Sequence, residues 1–185
     1  MVDSAAASAT WFVLHCVLLD ARHMSAAWYF EKMDVAVGVG SPAQVLIEAQ
    51  AFLDSIGFSA RWLTAPNASL VVARLESQLI CGVGVATIEG STAALMSFAV
   101  HPDFRAQRIG RRMVETLLSH LKSSGAGTAY LLSRTAGGFW ERVGFTRVPV
   151  DEVAVKAKNH IQVREFLADG SLWSDQAFRR DLLGN

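Results

Sequence analysis

Ser97-Phe98-Ala99-Val100-His101-Pro102-Asp103-Phe104-Arg105-Ala106-Gln107-Arg108-Ile109-Gly110-Arg111-Arg112 is the stretch from which the fold can be read. It begins as an apolar strand and breaks at His101-Pro102, since proline has no amide for a ladder and restricts the residue before it. A short polar loop rich in arginine follows, and a periodic helix starts near Ile109. The first amides of a helix have no partner within it, and its dipole leaves positive potential there, so strand, loop and helix start together suit a phosphate ester. Arg105, Arg108, Arg111 and Arg112 reinforce both effects. The stretch therefore reads as a grip for the pyrophosphate of a nucleotide-like cofactor.

Downstream, Ile109, Met113, Val114, Leu117, Leu118 and Leu121 form one apolar stripe, with Arg111, Arg112, Glu115, Ser119 and Lys122 opposite. Ser123-Ser124-Gly125 ends this helix. Residues 128–132 read as a short buried strand, which a right-handed crossover sets parallel to 92–100. A short helix is predicted over 135–143, capped by Gly144, with a last strand over 145–148. In the remainder, 159–166 and 174–183 are each expected to be helical, and Trp173, Phe178 and Leu182 to want burial.

Upstream, Val35, Val37 and Val39 alternate as in a half-buried strand. Ser41-Pro42 supplies a helix cap and first turn, and Val45 to Ile56 repeats at three- and four-residue spacing up to Gly57. After a connection over 59–68, strands over 69–75, 78–88 and 92–100 form an antiparallel meander. Gly82 and Gly84 inside the middle strand predict a bulge or close packing.

The 185 residues are 51% hydrophobic and 18% charged, as in an ordinary compact domain. Seventeen basic residues balance seventeen acidic ones, so no overall field would draw the chain to nucleic acid or an anionic membrane. The basic cluster at 105–112 is local and suits a small phosphate-bearing ligand. Cys16 and Cys81 have no metal-ligand or disulfide spacing, so reduced thiols and a cytoplasmic setting are expected, with no metal. The sequon Asn67-Ala68-Ser69 reads as chance, since 1–33 lacks the pattern of a secretory signal and its apolar run of about nine residues is short of the roughly 20 needed to span a membrane. The expected organisation is an extension over 1–33, a core over 34–150, and a tail over 151–185 packed on the core.

Arg105-Ala106-Gln107-Arg108-Ile109-Gly110 before the helix, then Phe139-Trp140-Glu141-Arg142-Val143-Gly144-Phe145, resembles the GCN5-related N-acetyltransferases (GNAT). That family's phosphate loop runs Gln/Arg-x-x-Gly-x-Gly/Ala and its later motif Tyr-x-x-x-Gly-Phe. The likeness is specific over roughly 69–148. Residues 130–140 look most like arsenic-resistance and amino-acid N-acetylating members. The resemblance implies an α/β fold of the α+β kind: a mixed, mainly antiparallel central sheet, splayed between the parallel strands 92–100 and 128–132 and flanked by helices.

It further implies acetyl-CoA as cosubstrate, with pantetheine paired to the backbone of Phe98, Ala99 and Val100 and pyrophosphate on the amides from Gln107 to Arg112. Arg105, Ala106, Ile109, Gly110 and Arg111 complete that loop, and Thr135, Phe139 and Trp140 flank it. The implied reaction is direct attack of a primary amine, on a small molecule or amino acid, upon the thioester. A homodimer is compatible with the resemblance.

Two positions depart from the pattern. Arg108 stands where the family has its first loop glycine, which suits close backbone approach. Arginine there either adds a charge-assisted phosphate contact or crowds the ligand with its Cβ and stem. Arg108→Gly is expected to tighten acetyl-CoA binding, and unchanged or weaker affinity by calorimetry counts against crowding. Trp140 replaces the usual tyrosine acid, and an indole N–H cannot give up a proton near neutral pH. The remaining candidates for proton transfer are Ser133, Tyr130, Thr135 or water on the thiolate side. His101, with a suitable intrinsic pKa, is a candidate for the amine's proton, although it is equally read as a cap to the strand. A non-catalytic acyl-CoA-binding protein is the competing reading.

Overall fold

The computed structural model describes residues 35–40 and 42–183. The expected extension 1–33, with Cys16, and the expected helix cap Ser41 lie outside the described residues. The described fold is that of the compact unit Asp34–Asn185.

Alternating valines form β1 (Val35–Gly40), and Pro42 opens α1 (Pro42–Ser55). Turns lead to β2 (Ala68–Leu75), β3 (Ile80–Glu89) and β4 (Thr92–Val100). A single 3-10 turn, Pro102–Phe104, then precedes α2 (Ile109–Ser123). Next come β5 (Thr128–Ser133), α3 (Gly137–Arg142) and β6 (Thr146–Val148). The chain closes with α4 (Val150–Lys156), α5 (Ile161–Ala168), a 3-10 turn at Ser171–Ser174, and β7 (Gln176–Asp181). The strands form one seven-stranded sheet in the order β1-β2-β3-β4-β5-β7-β6. Only β4 and β5 run parallel; α2 makes the crossover between them. This is the mixed, mainly antiparallel sheet that the resemblance implies.

Helices cover both faces because the strands are apolar on both. Val83 and Val85 join Ala49, Phe52 and Leu53 of α1 in one core, with Trp62, Leu63 and Met96. Alternating with those valines, Gly82 and Gly84 face the other way. A Cβ on Gly82 would meet the Met113 sulfur of α2 at 2.7 Å, and one on Gly84 would enter the Phe98 ring. The glycines of β3 therefore permit close approach, and the β3–β4 register also shifts between Val83 and Val85, so the two expectations for them hold together. All six residues of the α2 stripe are buried. Each contributes about 1.5–3 kcal/mol in transfer terms.

The tail differs from its sequence reading. Residues 161–168 are helical as expected, but 176–181 form β7 instead of a helix. β7 lies between β5 and β6 and pairs antiparallel with both. Ala177 and Phe178 are both buried because an internal strand has both faces covered. That removes the alternation by which a strand is recognised, and Phe178 with Leu182 then mimics a helical repeat. The helix expected over 135–143 is shorter, at Gly137–Arg142.

His160 precedes α5 and is buried. Its Nδ1 lies 2.8 Å from the Thr87 hydroxyl of β3 and its Nε2 3.2 Å from that of Thr92 in β4. Burial lowers its pKa, an effect that the Glu89 charge opposes. The unfolded chain then binds a proton that the folded chain resists. Unfolding free energy should fall as pH drops below about 6.5, with a slope of up to ~1.4 kcal/mol per pH unit down to the folded pKa. Urea melts between pH 7.5 and 5 check this. His160→Gln, which cannot titrate, should remove that component of the slope.

Candidate functional site

β4 and β5 pair only from Thr92↔Thr128 to Leu95↔Leu131. Beyond Leu95 the two strands have no ladder between them, although β4 runs on to Val100 and β5 to Ser133. Ser97 has a left-handed backbone, φ 46°, at the point where the β3–β4 register shifts. The Ser97 hydroxyl donates to the Ser59 carbonyl (3.2 Å), tying the parting strand to the turns after α1. Phe98 then packs edge-on against Trp140 of α3, ring centroids 5.3 Å apart.

The loop of the opening stretch lies at this same end of β4. Ala106 (φ 64°) and Arg108 (φ 61°) are both left-handed. Arg108 is the N-cap residue of α2; no side chain caps the helix start and no acidic residue sits in its first turn. The amides of Ile109, Gly110 and Arg111 consequently have no intrahelical partner. Two left-handed residues leading into free amides make a concave, anion-attracting backbone. Gly110 has a steric reason as well: a Cβ there would press on the Phe139 ring at 3.3 Å.

The four arginines differ. Arg105 Nε donates to the Val100 carbonyl (3.1 Å), Arg111 Nη2 to the Arg142 carbonyl at the end of α3 (3.0 Å), and Arg112 Nη2 to the Val35 carbonyl of β1 (2.6 Å). Arg108 is exposed and, among the described residues, has no hydrogen bond or ion pair through its guanidinium. The residue that departs from the family pattern is thus the loop cation left available. Gln107 is half-buried beside it, and Ala106 and Thr135 are exposed.

The proton-transfer candidates are not brought to one point. The Ser133 hydroxyl accepts the Ala136 amide (3.1 Å) at the turn into α3 and keeps its own proton for another acceptor. Tyr130 is on the other face of β5. It is buried, and its hydroxyl donates to Glu152 Oε1 (3.2 Å), which also receives Arg179 Nη1 at 3.1 Å. Burial, and then the Glu152 charge, raise the Tyr130 pKa. The His101 ring caps the 3-10 turn, Nδ1 accepting from the Asp103 amide (3.3 Å). Trp140 is buried among Phe98, Phe139 and Phe145.

Sequence reading missed Glu152 and Arg179, which are 22 and 27 residues from their partners in this cluster and carry no local signal. It also missed the closure of 59–66 against α5, where Arg61 pairs with Glu165 and Trp62 packs edge-on to Phe166. Among the described residues no group of His, Cys, Asp and Glu could hold a metal ion, and no helix is long and apolar enough to cross a membrane.

The family model described as "Acetyltransferase (GNAT) domain" matches residues 66–147. No curated protein matches the chain in sequence. Among solved structures, a GNAT-family acetyltransferase from Staphylococcus aureus Mu50 is similar at TM-score 0.61 and 14% identity, over 80% of this chain and 99% of that one. N-acetylglutamate synthase from Neisseria gonorrhoeae, complexed with coenzyme A and N-acetyl-glutamate, gives TM-score 0.62 and 15% identity over 80% of this chain. This chain spans 36% of that longer one. A putative acetyltransferase from an Exiguobacterium species reaches 20% identity at TM-score 0.52, over 63% of this chain and 88% of that one. At these identities the likenesses speak for the fold. The domain match over 66–147, the order of the splayed mixed sheet and the uncapped helix at the arginine loop together support a GNAT acetyltransferase domain over that part of the chain.

Proposed function

We propose that the protein is an acetyl-CoA-dependent N-acetyltransferase that acts in the cytoplasm on a primary amine of a small molecule or amino acid. The observation that carries this reading is the parting of β4 from β5 beyond Leu95↔Leu131, at the end where the uncapped start of α2 lies. An extended pantetheine arm fits the unpaired edge of β4 at Phe98, Ala99 and Val100, and two phosphates fit the amides from Gln107 to Arg112. The residues present suit the ligand: backbone donors, no competing carboxylate in the first turn, and a spare guanidinium on Arg108. Arg105 would release the Val100 carbonyl for the ligand and turn to a phosphate. Phe139 and Trp140 form an apolar wall, and Thr135 stands at the rim.

In this reading the chemistry is positioning. A neutral amine attacks the thioester carbonyl, a backbone amide near Val100 polarises the oxygen, and the thiolate departs. Trp140 provides no proton, and the Tyr130 proton is engaged by Glu152. Ser133, its hydroxyl proton uncommitted, is the residue we assign to stabilise the thiolate, relaying a proton from water. His101, at the end of β4, is assigned the amine's proton, for which its Nδ1 must give up the Asp103 amide that it accepts. A non-catalytic acyl-CoA-binding role is favoured by one observation, the burial of Trp140 in an aromatic cluster where an acid is usual in the family.

Thiol release from acetyl-CoA across a panel of amines and amino acids separates the two: amine-dependent turnover is expected, and saturable CoA binding without it would establish the binder. Ser133→Ala should lower kcat roughly ten- to a hundredfold with little change in KM for acetyl-CoA. Since Ser133 also accepts the Ala136 amide, thermal melts should show a stability loss of about 1 kcal/mol.

Arg108→Gly should act in two directions. Removing a Cβ from a left-handed position should raise stability by about 1 kcal/mol. With the Arg108 guanidinium unpaired among the described residues, the expectation from sequence reverses: losing it should weaken acetyl-CoA roughly fivefold by calorimetry, which corresponds to about 1 kcal/mol. Tighter binding would mean that the arginine crowds the ligand.

A further inference from the structure

At the other end of β4, away from the candidate site, the structure holds a pocket lined by Pro66, Thr87, Glu89, Asn159, Ile161 and Arg164. From Thr92 to Phe98 the strand runs six residues, about 20 Å at ~3.3 Å per residue, so this cavity is separate from the reacting region proposed above. Its walls are Pro66 and Ile161. Its charged groups are one carboxylate and one guanidinium, and among the described residues neither Glu89 nor Arg164 forms an ion pair, with each other or with another residue. Opposite charges that share a small pocket without pairing leave room for a ligand that carries both complements.

The buried wall of the pocket has a defined polarity. The Thr92 hydroxyl donates to the Glu89 carbonyl (2.9 Å), so toward His160 it can only accept. His160 Nε2 therefore carries the proton, and Nδ1 is the acceptor for the Thr87 hydroxyl at 2.8 Å. With its proton spent on the ring, the Thr87 oxygen offers only lone pairs to the pocket. Thr87 and Glu89 together make an accepting, anionic side that suits an ammonium group. Arg164 and the Asn159 amide make a donating side that suits a carboxylate. The cavity, about 110 Å³, is several times the space that one water needs and so has room for a small polar molecule.

We propose that this pocket binds a small zwitterionic α-amino acid, its ammonium on Glu89 and Thr87 and its carboxylate on Arg164 and Asn159, as a site distinct from the acetyl-transfer cleft. The site goes beyond the proposed activity and does not depend on it.

L-alanine is the probe, titrated calorimetrically into the full chain with and without saturating coenzyme A. One saturable site is expected, with the same affinity in both conditions. Glu89→Gln and Arg164→Gln should each weaken L-alanine at least tenfold while leaving thermal unfolding and coenzyme A affinity unchanged. Propylamine and propanoate, each with one of the two charges, should bind at least tenfold more weakly than L-alanine. The assignment is overturned by the absence of saturable binding, by binding that survives both substitutions, by competition with coenzyme A, or by propylamine or propanoate binding as tightly as L-alanine. A chain that fails to bind coenzyme A but binds L-alanine through Glu89 and Arg164 would sink the proposed activity and leave this site standing.

Discussion

Ser97 adopts a left-handed backbone inside a strand, and the candidate site depends on that single conformation. A non-glycine residue there costs roughly 1–2 kcal/mol. The conformation shifts the register against β3 and lies just past the last residue paired to β5. It also aims the Ser97 hydroxyl at Ser59 and leaves Phe98 over Gly84 and against Trp140. The hydrogen bond and the aromatic packing hold the strained residue in place. Without the bulge β4 would continue its ladder along β5, and no edge would be free for an extended ligand.

The same economy extends into the loop. Of the five non-glycine residues with positive φ among those described, Ser97, Ala106 and Arg108 fall within twelve residues of chain. Strain of this kind persists where surrounding structure over-determines it, and here the surroundings are the aromatic cluster on one side and α2 on the other. Arg105, Arg111 and Arg112 each tie the helix start or its loop to a carbonyl of another segment, which secures the concave backbone. Arg108 carries charge at a place where a glycine would carry only conformational freedom.

On the opposite face, β7 and the helices before it bring distant polar groups together. Tyr130, Glu152 and Arg179 come from β5, α4 and β7, and His160 links β3 to β4 from the start of α5. These contacts explain why residues 150–181 belong to the sheet architecture, although their composition alone suggests two amphipathic helices.

The sequence by itself determined the parts whose chemistry is local. The α2 stripe repeats every three or four residues, the β2–β4 meander has short turns, His101-Pro102 breaks a strand, and the arginine-rich loop leads straight into a periodic helix, so each was legible from its own spacing. Tertiary structure decided what depends on partners far along the chain. It placed β7 between β5 and β6, because an internal strand buried on both faces has no alternation to read. It committed three of the loop's arginines to carbonyls and left Arg108 to solvent, because hydrogen-bond partners 31 and 77 residues away leave no mark in local sequence. It also set the polarity of the His160 pocket, since a hydroxyl's role as donor or acceptor follows only from the neighbours that close around it.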